Sequence, residues 1–271
     1  MLKAKNIMNP IISIDKETSI GNVISKILKE KISRILISDD IDITKIVSQK
    51  DICRYLLEKP NESIDETPIE KISKKILAVD SNEDIKTCAE LMLSKNIGSL
   101  GIKSNEIIGI FTKTDIVKII QNELKGKKLA VEIMSNEYLW EFSEVKINKI
   151  FKKMLDFNIS RLILKNENEI TTGIITISDL LKLGFSDFNT NSINKTELNI
   201  NLLFDRFNSE KILGNQISTK KIFSVPMIED ISKICELLIN EKIDGLGVLN
   251  DNNIIWGILT KTDILKAFIN K

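Results

Sequence analysis

Four stretches of the chain place apolar residues at i, i+3, i+4, i+7 and i+8, the spacing of one buried helical face. They are Ile20, Val23, Ile24, Ile27 and Leu28; Ile85, Cys88, Ala89, Met92 and Leu93; Ile147, Ile150, Phe151, Met154 and Leu155; and Ile231, Ile234, Cys235, Leu238 and Ile239. A short β-rich run precedes each: "IISI" (11–14), "ILAV" (76–79), "YLWE" (138–141) and "IFSV" (222–225). Two short strands follow, the first reading "RILI", "SLGI", "RLIL" or "GLGV". The second runs into Ser/Thr-x-x-Asp, where another helix begins. The pattern predicts an α/β (α+β) protein of four β-α-β-β-α repeats, each of about 55–60 residues.

The anchoring aspartates are Asp51, Asp115, Asp179 and Asp263, spaced 64, 64 and 84 residues apart. Around them lie "KIVSQKDI", "IGIFTKTDI", "TGIITISDL" and "WGILTKTDI". Repeats one and three share "ISR", ending at Arg34 and Arg161; two and four share the Gly-rich "IGSLGI" and "IDGLGV". This alternation implies that a consecutive pair is the duplicated unit, with its boundary near "LKGKKLA" (124–130). The expected segments are 1–60, 66–124, 128–186 and 219–271. Residues 187–218, rich in Asn, Ser and Thr, form the expected polar linker. Within them "TELNINLLFDRF" (196–207) predicts a short amphipathic helix, serving as a packing strap or a partner-docking element.

Composition removes several functions. The chain has 271 residues, 39 basic and 38 acidic, for a net charge of +1. No large field is available to hold nucleic acid or an anionic membrane, so direct nucleic-acid binding is not expected. No apolar run approaches the ~18 residues that span a bilayer. The opening "MLKAKNIMNP" lacks the apolar segment of a signal peptide, and a cytoplasmic location is expected. Three cysteines at wide spacing suggest neither a disulfide framework nor a metal site. Cys88 and Cys235 stand on apolar helical stripes; Cys53 aligns with Val117, Leu181 and Leu265. All three read as small core residues. Histidine is absent, which excludes Ser-His-Asp and Cys-His pairs. No Walker-type loop is present either, and the chain is not expected to be an enzyme.

Ser/Thr-x-x-Asp at a helix start is a capping box in form, and for any single copy a cap is the default reading. The surroundings add a second reading. A strand ends at the hydroxyl and a helix starts with the acid, the place where α/β proteins hold ligands beside free N–H groups. A carboxylate there can accept bonds from adjacent hydroxyls, as a ribose offers. Arg34 and Arg161, one strand upstream, supply planar donors suited to phosphate. Together these residues make an inventory for a nucleotide.

The four units resemble CBS (cystathionine-β-synthase-type) domains, and "GIFTKTDI" and "GILTKTDI" carry the resemblance most closely. It covers nearly the whole chain. It implies that repeats pair through their sheets into two Bateman modules, similar to the γ subunit of AMP-activated protein kinase and to stand-alone archaeal proteins. It further implies a regulatory, energy-sensing protein that binds an adenosyl ligand (AMP, ADP, ATP or S-adenosylmethionine) with no catalytic cofactor and modulates a separate partner protein. A homodimer is compatible with it, and the alternative is a ligand-free interaction scaffold. Carried over residue by residue, Asp51, Asp115, Asp179 and Asp263 match the ribose-binding acid. Ser48, Thr112, Thr176 and Thr260 match the hydroxyl near the phosphates. Arg34, Arg161 and Lys50 match phosphate-contacting groups, and Ile46, Ile110, Ile174 and Ile258 match the wall of the base pocket. In the family the partner's first strand completes each pocket, which pairs Asp51 with Ala78, Asp179 with Ser224 and Asp263 with Trp140. Trp140 is expected to occlude its pocket rather than stack on a base. Three departures stand out: Lys45 replaces the usual glycine, loosening that strand, and Ser99 and Gly245 replace the arginine. The odd sites, Arg34/Ser48/Lys50/Asp51 and Arg161/Thr176/Asp179, are therefore the best candidates.

Overall fold

The computed structural model describes residues 2–39, 42–60, 62–184 and 212–270. The helix expected at 196–207 lies outside the described residues. Repeat one contains β1 (Ser13–Asp15), α1 (Ile20–Lys29), β2 (Arg34–Asp39), β3 (Asp42–Ser48) and α2 (Gln49–Glu58), followed by β4 (Lys74–Lys75). Repeat two contains β5 (Ala78–Asp80), α3 (Ile85–Ser94), β6 (Ser99–Lys103), β7 (Ile107–Thr112) and α4 (Lys113–Glu123). A short α5 (Ala130–Ile133) leads to repeat three: β8 (Trp140–Phe142), α6 (Ile147–Asp156), β9 (Arg161–Lys165), β10 (Thr171–Thr176) and α7 (Ile177–Lys182). A short α8 (Gly214–Ile217) leads to repeat four: β11 (Ser224–Pro226), α9 (Ile231–Asn240), β12 (Gly245–Leu249), β13 (Ile255–Thr260) and α10 (Lys261–Ile269). The four β-α-β-β-α repeats are thus present. The first strands start about two residues later than their apolar runs, because pairing begins where the chain reaches the second strand.

Each repeat builds the same sheet: its first strand runs parallel to the second, and the second antiparallel to the third. The apolar stripes face the core, with Ile20, Val23, Ile24, Ile27, Cys88, Ala89, Met92, Ile150, Phe151, Met154, Ile234, Cys235 and Leu238 fully buried. Each first helix ends in one left-handed residue, none of them glycine: Lys31, Asn96, Asn158 and Lys242. The following N–H then reaches back to the helix, as Ile32 does to the Ile27 carbonyl at 3.0 Å. This Schellman closure aims the chain into the second strand.

The chain forms two compact units. One joins repeats two and four (Met1–Ile11, Ile76–Tyr138, Ile222–Lys271), the other repeats one and three (Ile12–Lys75, Leu139–Lys221). Within each, helices of the two repeats pack together: α4 against α9 and α10 in the even unit, α2 against α6 and α7 in the odd unit. Each has its own apolar core. The alternation in the sequence therefore marks which repeats share a helical core: like joins like. Among the described residues, no helix is long and apolar enough to cross a membrane.

The segment leading into each repeat docks on a different one. Residues 2–9 precede repeat one, yet Ala4 N–H donates to the Glu83 carbonyl (2.9 Å) and Asn9 bridges Ile110 in repeat two. Residues 64–75 precede repeat two, yet Ile69 N–H donates to Thr18 O (2.8 Å), and Lys74 pairs with Ile46 in repeat one. The α5 segment docks on repeat four, where Ser135 bridges Ile258. The α8 segment, which sequence order assigns to the linker, docks on repeat three, where Thr219 bridges Ile174. Consecutive repeats thus exchange their lead-ins, one with two and three with four.

This exchange explains the glycine of the motif. A Cβ on Gly257 would lie 2.9 Å from the Ser135 carbonyl oxygen and 2.8 Å from Met134 Sδ; Gly109 and Gly173 face equally close lead-in atoms. In repeat one, Lys45 takes that position. There the lead-in forms the short strand β4, in register Lys45 to Lys75, and the Lys45 ammonium pairs with Glu70. The strand expected to be loose is instead the one with an added partner strand.

Gly257→Ala should lower stability by about 1–3 kcal/mol, because the obstructing atom is backbone that cannot rotate aside; urea unfolding of both proteins measures this. The thiols of Cys88 and Cys235 are pushed up to about 12 by burial first and nearby carboxylates second, and Cys53 is raised by burial and by Asp51. All three should resist iodoacetamide at pH 8 in the native protein and react after unfolding.

Candidate functional site

All four motifs have one local geometry. The strand-end hydroxyl residue is the helix N-cap and the aspartate is the third helical residue. The Asp51 Oδ2 accepts from Ser48 N–H (3.0 Å) and Ser48 Oγ (2.6 Å). Asp115 accepts likewise from Thr112 (2.9 and 2.7 Å), Asp179 from Thr176 (2.8 and 2.7 Å) and Asp263 from Thr260 (2.9 and 2.7 Å). The cap uses one carboxylate oxygen in every repeat. The other oxygen, Oδ1, faces a cation: Lys118 at 3.3 Å, Lys182 at 2.8 Å, Lys266 at 3.3 Å, and Lys74 at Asp51. The side chains of Asp115, Asp179 and Asp263 are 6–8% exposed, against 16% for Asp51.

The antiparallel register sets Arg34 directly opposite Ser48, and Arg161 opposite Thr176. Directly paired residues lie within about 5 Å at Cβ, so each arginine is anchored across from the strand-end hydroxyl residue, and the Arg34 Nε donates to Ser33 Oγ at 3.3 Å. In the even repeats Ser99 and Gly245 hold these places, opposite Thr112 and Thr260. Ile46, Ile110, Ile174 and Ile258 each lie two residues before the hydroxyl, at the point where a lead-in pairs with the strand. Ala78 and Ser224 lie on β5 and β11, in register with Gly101 and Gly247. The Lys50 ammonium is bonded to the carbonyl oxygen (2.6 Å) and the side chain (3.0 Å) of Asn158, the left-handed residue after α6. Trp140 is half-buried, with Lys165 over its ring at 4.6 Å and Phe142 edge-on at 5.1 Å.

Two sets of residues around the motif go beyond the sequence reading. The first is the lead-in polar residue. Asn9 donates its side-chain amide to Asp115 Oδ2 (2.7 Å), Ser135 Oγ bonds Asp263 Oδ1 (3.4 Å), and Lys74 pairs with Asp51. Their signal is the repeated "NIMN", "KISK", "EIMS" and "QIST" before each first strand. The second is the basic residue three after each aspartate, in "DIVK", "DLLK" and "DILK", with Arg54 standing there in repeat one.

In the even unit the two motifs also meet. Lys113 Nζ donates to Thr262 Oγ1 (2.8 Å) and Lys261 Nζ to Thr114 Oγ1 (2.9 Å), a reciprocal contact between equivalent residues. Lys261 is buried and paired with Asp244 at 2.8 Å. An adjoining pocket of about 340 Å³ is lined by Lys128, Glu132, Met134, Ser135, Asp263 and Lys266 among others.

A profile of the CBS domain matches residues 4–58, 69–122, 130–185 and 214–270. An uncharacterised protein of Methanocaldococcus jannaschii is 24% identical over 208 residues, 76% of this chain and 71% of that one. The crystal structure of that protein, described as a candidate archaeal homologue of the AMP-activated kinase γ subunit, superposes with a TM-score of 0.85. That match has 20% identity and covers 98% of this chain and 100% of the other. An uncharacterised conserved protein of Pyrococcus horikoshii matches with TM-score 0.64 at 16% identity, covering 98% and 99%. At these identities the two structures show the fold. A homoserine O-acetyltransferase of Methanococcus vannielii is 34% identical over 133 residues, which is 48% of this chain and 25% of that enzyme.

Removing a motif carboxylate strands two donors at a helix start. Asp115→Ala, Asp179→Ala and Asp263→Ala should each cost about 1–3 kcal/mol, and the more exposed Asp51→Ala less. The urea midpoints of the four variants provide the comparison.

Proposed function

The chain belongs to the CBS-domain family, and we propose that it is a regulatory protein that binds an adenosine nucleotide at the strand-to-helix turns of its odd repeats. The observation that carries this reading is the cross-strand placement of Arg34 beside Ser48 and of Arg161 beside Thr176, each at a turn that ends in a motif aspartate. A phosphate needs such planar donors and a helix N-terminus; a ribose needs the carboxylate. The even turns keep the hydroxyl and the acid and lack the arginine, so they are the secondary sites.

In this reading Asp51 and Asp179 hold the ribose hydroxyls through Oδ1, while Oδ2 keeps its cap. Ile46 and Ile174 line the base at the odd sites, and Ile110 and Ile258 at the even ones. Ligand would bias one arrangement of a module and thereby a separate partner protein, as its differential affinity for two states permits.

A second reading has its own observation: the capping box is complete in all four repeats, which a ligand-free scaffold also requires. Thermal unfolding with AMP, ADP, ATP and S-adenosylmethionine separates the two. A ligand at 100 times its Kd adds ~2.7 kcal/mol, which moves the midpoint by roughly 5–10 °C. Asp51→Asn and Asp179→Asn should reduce affinity by about 10–100-fold and erase most of that shift. No shift with any of the four compounds, on protein stripped of nucleotide, would leave the scaffold reading.

A further inference from the structure

The four motif aspartates differ in what faces their outer oxygen. At Asp115, Asp179 and Asp263 the cation is the lysine three residues later on the same helix. At Asp51 it is Lys74, which arrives on β4, the lead-in strand exchanged from repeat two. The equivalent lead-in residues are Asn9, Ser135 and Thr219, none of them charged. Lys74 therefore brings a formal positive charge to this site alone among the four lead-ins. Its side chain is 66% exposed and that of Asp51 16%. A solvent-facing ion pair of this kind is weak, so its lysine can change partner at small cost.

From this juxtaposition we propose that Lys74 is a specificity-determining residue, a lock that makes the Asp51 site select phosphorylated over unphosphorylated nucleosides. The proposal rests on the reading of Asp51 as the ribose acceptor. Lys74 covers Asp51 Oδ1, the oxygen that the cap leaves to a ribose. A bare nucleoside must displace the ammonium and offers no new anion for it. A nucleoside 5′-phosphate brings a dianion beside Arg34, to which Lys74 can turn as the ribose hydroxyls take its place on Asp51. The same ammonium thus opposes one ligand and assists the other.

Calorimetric titration of the full chain with AMP and with adenosine tests this. The binding component that Asp51→Asn removes identifies the site. In the unaltered protein that component should favour AMP over adenosine by at least about tenfold, the scale of one charge-assisted hydrogen bond. In Lys74→Gln, which leaves the cap intact, AMP should weaken, adenosine should tighten, and the ratio should fall to within about threefold. An unchanged ratio overturns the proposal and leaves the nucleotide reading standing. Weaker AMP with unaltered adenosine would make Lys74 a phosphate contact only, which also overturns the lock. If Asp51→Asn removes no component, the ribose reading itself fails at this site, and the lock with it.

Discussion

A strand that ends at a buried helix start leaves backbone N–H groups without partners, and this chain meets that demand four times with a single side chain. The aspartate on the first helical turn accepts both the backbone N–H and the hydroxyl of the last strand residue. Those two bonds fix the angle between strand and helix and bury a carboxylate where the helix dipole favours it. The helices of each unit pack from this joint, and so do the strands that carry Arg34 and Arg161. A carboxylate has two oxygens, however, and the cap consumes one. The other faces a lysine in every repeat. The proposed ligand-binding role and the structural one can therefore reside in one residue without conflict.

The lead-ins place the second constraint on this joint. Each runs along the strand that ends at the hydroxyl, close enough that three of the four strands need glycine beside it. Because each lead-in precedes the neighbouring repeat in sequence, Asp51, Asp115 and Asp263 each meet a residue from outside their own repeat. The identity of one lead-in residue then sets the electrostatics of the site. Asn9 adds a third donor to Asp115 Oδ2, whereas Lys74 adds a full charge at Asp51. The nearly identical turns at Asp51, Asp115 and Asp263 come to differ through residues that belong to none of the turns.

The two units use their like-with-like pairing differently. In the even unit, Lys113 and Lys261 reach across to each other's repeat and spend their ammonium groups on Thr262 and Thr114. In the odd unit Lys50 spends its own on Asn158. Lysines near the motif therefore do structural service between repeats, and the arginines of the odd repeats carry the distinction between the units. A planar guanidinium at a strand end has geometry suited to phosphate that a serine or glycine cannot supply.

Much of this was legible in the amino-acid sequence. The 3.6-residue stripes placed the first helices, and residues such as Ile24, Ala89, Phe151 and Cys235 are buried as the stripes require. The four-fold motif placed the caps, because a hydroxyl and an acid three residues apart bond within a single turn, whatever lies around them. Local periodicity and local hydrogen bonding are short-range, so the order of residues determines them. The sequence could not say that residues 2–9 belong with repeat two, or that residues 212–219 belong with repeat three. A docked lead-in is a single helical turn with a few apolar residues, such as Ala4, Ile7 and Met8, too brief to have a period. Nor could it join Lys74 to Asp51 across 23 residues, or Lys261 to Thr114 across 147, since such pairs exist only once the chain has closed on itself. The helix starts, and the i+3 lysines that face three of them, were written in the sequence; the charge that faces Asp51 was decided by tertiary structure.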